Sequence, residues 1–218
     1  MEIWAIVVAA GSSTRFGRPK QFADLAGRPV LHWSVEAARA ACGGIVVVLP
    51  AADAAVEVPG ADAVQVGGLT RSDSVRAGLA AVPAATEIIV VHDAARPLAP
   101  PALWSAVVAE IKAGADAAIP GVAVTDTIKR VSATGSIETL DRSQLVAVQT
   151  PQAFRASALR AAHAGAAHAT DDAALIEAAG GRVVVVAGDP DNLKLTGPGD
   201  LEVLALLLTR SRVTGGAP

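Results

Sequence analysis

An alternation constrains this chain more than any other feature. Uninterrupted runs rich in β-branched residues occupy 3–8 (IWAIVV), 44–50 (GIVVVLP), 87–93 (EIIVVHD), 116–124 (DAAIPGVAV) and 182–188 (RVVVVAG). Longer Ala/Leu stretches of helical period separate them. Strands apolar on both faces must be covered on both faces, as in a parallel sheet flanked by helices. The covering helices are expected at 29–41, 72–82, 100–113, 155–167, 171–180 and 200–210. Pro100 and Pro101 suit the start of the third, because the first helical N–H groups have no intrahelical partner. Units in this order specify an α/β fold, a Rossmann-like, doubly wound and mostly parallel sheet. Ligands of such sheets gather at the carboxyl ends of the strands.

One stretch departs from the rhythm. Residues 124–154 alternate polar and apolar side chains and carry Thr-Gly-Ser at 134–136, a hairpin pattern rather than a crossover unit. It is read as a β-hairpin arm, at about 124–148, that leaves the main sheet. With no repeat and no linker-like tract, residues 1–218 are read as a single domain.

Composition narrows the partners. Hydrophobic residues make up 52% and charged residues 18%, enough for a buried core and unlike a disordered chain. A net charge of −3, with no basic run longer than two residues, argues against nucleic acid, whose binding rests on phosphate neutralisation. The first apolar segment is too short to span a bilayer and follows Glu2 rather than a basic region. The expectation is therefore no membrane partner and a cytoplasmic chain. Cys42, the only cysteine, cannot form an internal disulfide and is read as a buried, inert thiol.

Four stretches carry chemistry. VAAGSSTRFGRPK (8–20) leaves the first strand through small residues and presents Arg15 and Lys20. It fits neither G-x-x-x-x-G-K-[ST] nor G-x-G-x-x-G. Such a loop can turn backbone N–H groups toward an anion, or it can be a surface loop with two solvated cations. VVHDAARP (90–97) sets Asp93 at a strand's carboxyl end with Arg96 just beyond. Asp93 could face a metal–nucleotide complex, or cap the next turn with Arg96 as its ion-pair partner. His92 is assigned to orienting a neighbour.

GDPDNLKLT (188–196) crowds two aspartates and Asn192 into a turn before Lys194, which is expected in a short strand. GGLTRSDSVRAG (67–78) opens on a glycine pair that permits close backbone approach. Its Ser72, Asp73 and Ser74 then sit at a helix start, where capping alone would explain them. Thr170, before DDAAL, reads first as a cap. No G-x-S-x-G, Cys–His pair or zinc-spaced His cluster occurs.

Taken in order, AAGSSTRF…PK, GG…R.DSV..GL, VHDAARP, DTIKR, TPQAF, TDDAALIE and DNLKLT resemble the 2-C-methyl-D-erythritol 4-phosphate cytidylyltransferase family from residue 8 to about 196. The resemblance implies transfer of CMP from CTP to 2-C-methyl-D-erythritol 4-phosphate, releasing pyrophosphate, with Mg2+ or another divalent cation. It implies that Ala9, Ala10 and Gly11 hold the CTP phosphates and line the base, and that Gly68 and Ser74 contact cytidine. Arg15 and Lys20 would stabilise the transition state, and Lys194 would hold phosphate. Asp93, with Ala94 beside it, would approach the nucleotide and the metal. The arm would swap onto a partner in a homodimer, with Thr127, Arg142 and Arg96 reaching the polyol phosphate. The match departs from the family's usual residues at Ser13, Phe16 and Leu69. Two other readings are weighed: a cytidylyltransferase for another polyol phosphate such as ribitol 5-phosphate, and an inactive nucleotide-binding regulator.

Overall fold

The protein, as a computed structural model, is described at residues 1–11, 16–17, 19–165 and 171–213. In chain order the strands are β1 (Ile3–Val8), β2 (Asp24–Leu25), β3 (Arg28–Pro29), β4 (Gly44–Leu49), β5 (Ala63–Val66), β6 (Ile88–Asp93), β7 (Ala117–Ala123), β8 (Lys129–Val131), β9 (Ile137–Thr139), β10 (Val146–Val148), β11 (Gln152–Arg155) and β12 (Val183–Ala187). The helices are α1 (Val30–Ala41), α2 (Arg71–Ala81), α3 (Pro101–Lys112), α4 (Ala156–His163), α5 (Asp172–Ala178) and α6 (Asp200–Val213).

Among the described residues one sheet has eight strands. β5, β4, β1 and β6 lie side by side and parallel. All six residues of β4 are buried, as are five of the six in β6 and the three central to β1, as apolar runs on both faces require. One core layer packs α1 and α3 against the sheet around Leu31, Val35, Trp104 and Val107. The opposite layer packs α2, α4 and α5 around Val75, Leu79, Leu159 and Ile176. Each fully buried Val, Leu or Ile contributes roughly 1.5–3 kcal/mol. Cys42 is buried beyond the end of α1, and that burial, despite the opposing charge of Arg39, pushes its thiol up to about 12. No helix among the described residues is long and apolar enough to cross a membrane.

The expected arm is shorter than 124–148. Its hairpin is β8 paired with β9, joined by a turn in which Gly135 has a φ of +82°. The chain rejoins the main sheet at β10, antiparallel to β7. β11 then lies antiparallel to both β6 and β7. Residues 146–155 thus belong to the main sheet, not to an excursion. β11 has too few residues for its period to show, and it is buried because β6 and β7 stand apart to receive it. β5, at the far edge, was also not expected.

A third, smaller cluster lies beside the strand ends. Phe16, Leu25, Val30 and Trp33 pack there with Leu195 and with Leu204 and Leu208 of α6. Phe16, one departure from the family's usual residues, is a core side chain of this cluster. The cluster brings Phe16, Ala23, Leu25, Val30 and Trp33 together with Leu195, and with them Lys20 and Lys194.

Candidate active site

β1 and β6 are parallel neighbours in register, Val8 opposite Asp93. Their carboxyl ends therefore release Ala9–Gly11 and Ala94–Ala95 at one place. Ala9 N–H donates to Val48 O, and Ala94 N–H donates to Val8 O. A cavity of about 470 Å³ opens there. Ala9, Ala10, Gly11, Lys20, Gly68, Ser74, Asp93, Ala94 and Lys194, nine of the residues singled out from the sequence, line it. Arg71 and Gln21 also line it, as does Leu69, which is fully exposed at the rim.

The glycine pair serves packing as much as any ligand. A Cβ on Gly67 would stand 2.3 Å from Ala10 Cβ, and one on Gly68 would stand 2.2 Å from Asp73 Cβ. Glycine here lets the start of α2 close against the loop after β1. The cap of α2 is Thr70, which forms a capping box with Asp73. The Thr70 hydroxyl first, and then Arg76, hold the Asp73 carboxyl at about 2. Ser74 is buried and its hydroxyl donates to Thr70 O at 3.0 Å. The cap of α5 is Asp171, which accepts from Ala174 N–H. The cap expected at Thr170 lies outside the described residues.

Asp93 is the only carboxylate among the described residues that line the cavity. Burial alone would raise its pKa, but Lys194 and then Arg71 outweigh that and bring it to about 2. Lys194 Nζ donates to Asp93 Oδ2 at 2.5 Å, and Arg71 Nε lies 3.7 Å from Oδ1. Arg96 is thus not the pairing residue of Asp93. It donates from Nη1 to Asn192 O at 2.6 Å and from Nη2 to Val148 O at 3.4 Å. Lys20 Nζ donates to Leu195 O at 3.0 Å, so both lysines converge on one segment.

That segment is held by a buried polar lattice, not by the strand expected around Lys194. Asn192 Nδ2 donates to Thr150 O and Gln149 Oε1, while Gln149 Nε2 donates to Asp189 O. Leu195 N–H donates to Ala95 O at 2.8 Å. His92 is fully buried and its pKa falls to about 4, chiefly through burial. Its Nε2 meets Arg96 O at 3.0 Å, which requires the proton on Nε2 and leaves Nδ1 to accept from the Thr150 hydroxyl. Thr150 Oγ1 in turn accepts from Asp93 N–H. His92 thus secures the turn that carries Asp93.

Not every expected residue is gathered here. Thr127 and Arg142 are exposed and do not line this cavity. Arg142 Nη1 donates to Thr125 O at 2.5 Å, within the arm's base. Arg15 and Ser13 lie outside the described residues. Arg71 was missed, although it lines the cavity and pairs with Asp93. The available signal was its place at the start of a helix, where the macrodipole disfavours a cation.

Among the described residues no group of three or more His, Cys, Asp or Glu could hold a metal alone. A single carboxylate at the wall of a cavity lined by cations suits magnesium, which binds through one or two carboxylates plus substrate phosphates. The arrangement can hold a polyanion between cations and backbone donors, and its lining residues include no His or Cys.

Comparison with known proteins gives the family. Residues 3–210 match the family described as IspD, 2-C-methyl-D-erythritol 4-phosphate cytidylyltransferase. The enzyme of that name from Nocardia farcinica is 46% identical, over 94% of each chain. That from Rhodococcus jostii is 45% identical, over 98% of this chain and 96% of its own. The crystal structure of the Thermus thermophilus enzyme is 34% identical, with a TM-score of 0.81 over 96% of this chain and 100% of its own. The chain belongs to the 2-C-methyl-D-erythritol 4-phosphate cytidylyltransferase family.

Proposed function

We propose that this chain transfers CMP from CTP to 2-C-methyl-D-erythritol 4-phosphate, giving 4-diphosphocytidyl-2-C-methyl-D-erythritol and pyrophosphate, in the cytoplasm. The observation that carries the reading is the cavity at the ends of β1 and β6, lined by Lys20, Lys194 and Arg71 and by one carboxylate, Asp93. The attacking phosphate oxygen is already anionic near neutral pH, so the reaction needs no strong general base. What it needs is charge stabilisation while two polyanions meet at the α-phosphorus.

In this reading Ala9, Ala10 and Gly11 offer backbone to the triphosphate, and Gly68 and Ser74 meet cytidine beside Ala94. Lys194 exchanges Asp93 for a phosphate. Lys20 and Arg15 are the cations of the transition state. Asp93 would hold magnesium, which when bound neutralises phosphate charge. Thr127, Arg142 and Arg96 would meet the polyol phosphate. In support, Thr127 and Arg142 are exposed on a segment projecting from the sheet, as a homodimer with exchanged arms requires. Sedimentation is expected to show a dimer; a stable, active monomer would overturn that assembly.

Purified protein given CTP and magnesium with each polyol phosphate tests the function through pyrophosphate release. Turnover with 2-C-methyl-D-erythritol 4-phosphate is expected. Turnover with ribitol 5-phosphate alone would overturn the substrate, and no turnover with either would leave the binding-only reading.

A further inference from the structure

Arg71 is held by two carboxylates of different kinds. Its Nη1 donates to Asp172 Oδ2 at 2.6 Å, whereas its Nε stands 3.7 Å from Asp93 Oδ1, beyond hydrogen-bond range. Asp172 does not line the cavity, and it is wholly buried at the start of α5. A carboxylate taken out of water persists when it is paired and hydrogen-bonded. Arg71 is one partner of Asp172. The other is His163 of α4, also buried, whose Nε2 meets Asp172 Oδ1 at 2.9 Å. Burial would push the Arg71 guanidinium down, but Asp172, then Asp93 and, more weakly, Asp171 raise it above its ordinary value. A line of contacts therefore runs from α4 through α5 to the cavity wall: His163, Asp172, Arg71, Asp93.

The two cations beside Asp93 differ in freedom. Lys194 is exposed and hydrogen-bonded to Asp93. Arg71 is tethered from behind and stops short of it. We propose that the Asp172–His163 pair is a positioning device for the CTP site, anchoring Arg71 so that it does not close a two-bond ion pair with Asp93. Asp93 then keeps one mobile partner, Lys194, which can leave for a phosphate, and one fixed countercharge, Arg71, which cannot follow. Without the tether the planar fork of Arg71 would clamp the carboxylate and compete with any cation arriving with CTP. This inference rests on the CTP reading above and adds two residues, His163 and Asp172, to which that reading gives no part.

A double-mutant cycle tests it. CTP binding is measured by calorimetry with magnesium and again in EDTA, for the wild type, Asp172→Asn, Arg71→Gln and the double variant, with thermal melts alongside. Asp172→Asn is expected to weaken CTP binding about tenfold with magnesium, the scale for removing a residue that orients a ligand's partner, and less in EDTA. In the Arg71→Gln background the same change is expected to cost less than about twofold, because the residue it acts through is gone. Losses that multiply in the double variant, or a folded Asp172→Asn that binds CTP with magnesium as the wild type does, would overturn the proposal. Should Asp172→Asn not fold, His163→Gln carries the same cycle, with an expected loss of about threefold that vanishes beside Arg71→Gln. A wild type that binds CTP but turns over no polyol phosphate would sink the functional reading while leaving this cycle measurable.

Discussion

The ends of β1 and β6 and the β8–β9 hairpin both carry charge pairs, in opposite circumstances. At the sheet end, the Asp93 side chain is only 13% exposed and two cations face it across loops tied down by buried hydrogen bonds. On the hairpin, Arg130 and Glu138 pair across two strands whose residues are all exposed. The first region has its geometry set within one chain, and the cavity is formed there. The second offers Thr127 and Arg142 with nothing of the cavity beside them. A cavity built on a packed scaffold can be read from a single chain. A segment exposed on every side has no such frame within its own chain.

The contrast can be broken in several ways. The largest effect is expected from Phe154→Ala on β11, the strand between β6 and β7, which removes a fully buried ring from the core layer under α4 and α5 and should destabilise the fold by about 3–5 kcal/mol in urea unfolding. A loss near zero would mean that this strand is not part of the scaffold. Next, Lys20→Ala should lower turnover at least about a hundredfold, the scale of one preorganised transition-state donor, with little change in melting temperature. Near-wild-type turnover would remove Lys20 from the mechanism. Arg142→Ala should raise the apparent KM for the polyol phosphate about tenfold, the scale of one charged hydrogen bond, and leave that for CTP unchanged. An effect confined to CTP would place the arm at the wrong substrate. Smallest of all, Arg130→Ala should change unfolding free energy by less than about 1 kcal/mol, since exposed ion pairs contribute little. A larger loss would show that the hairpin is packed in solution.

Much of the fold was legible because its central strands announce themselves. IWAIVV, GIVVVL and IIVVHD are apolar over nearly their whole length, so their burial and their company of helices follow from local pattern. QAFR at β11 and AVQV at β5 are too short for any period to speak. The site was legible where its residues end a strand or follow its end directly, as Asp93 and Ala9–Gly11 do. Of the two readings open for Asp93, the one that paired it with its neighbour in sequence fails. Arg96, three residues from Asp93, braces carbonyls, while from elsewhere in the chain Lys194 bonds the carboxylate and Arg71 stands 3.7 Å from it. Lys194 was expected in a strand because LKL looks apolar; its position comes instead from Asn192 and Gln149.

The sequence by itself determined the alternation of buried strands and covering helices, the end of the sheet where a ligand would sit, and the ordered motifs of the family. Each is a property of local pattern, since hydrophobic burial depends on which residues recur and at what period. Only the tertiary structure decided the pairings: Lys194 with Asp93, 101 residues apart, Lys20 with the Leu195 carbonyl, 175 apart, and Asp172 with Arg71. Ion pairs and hydrogen bonds act over a few ångströms, and those distances exist only once the loops have converged on the strand ends.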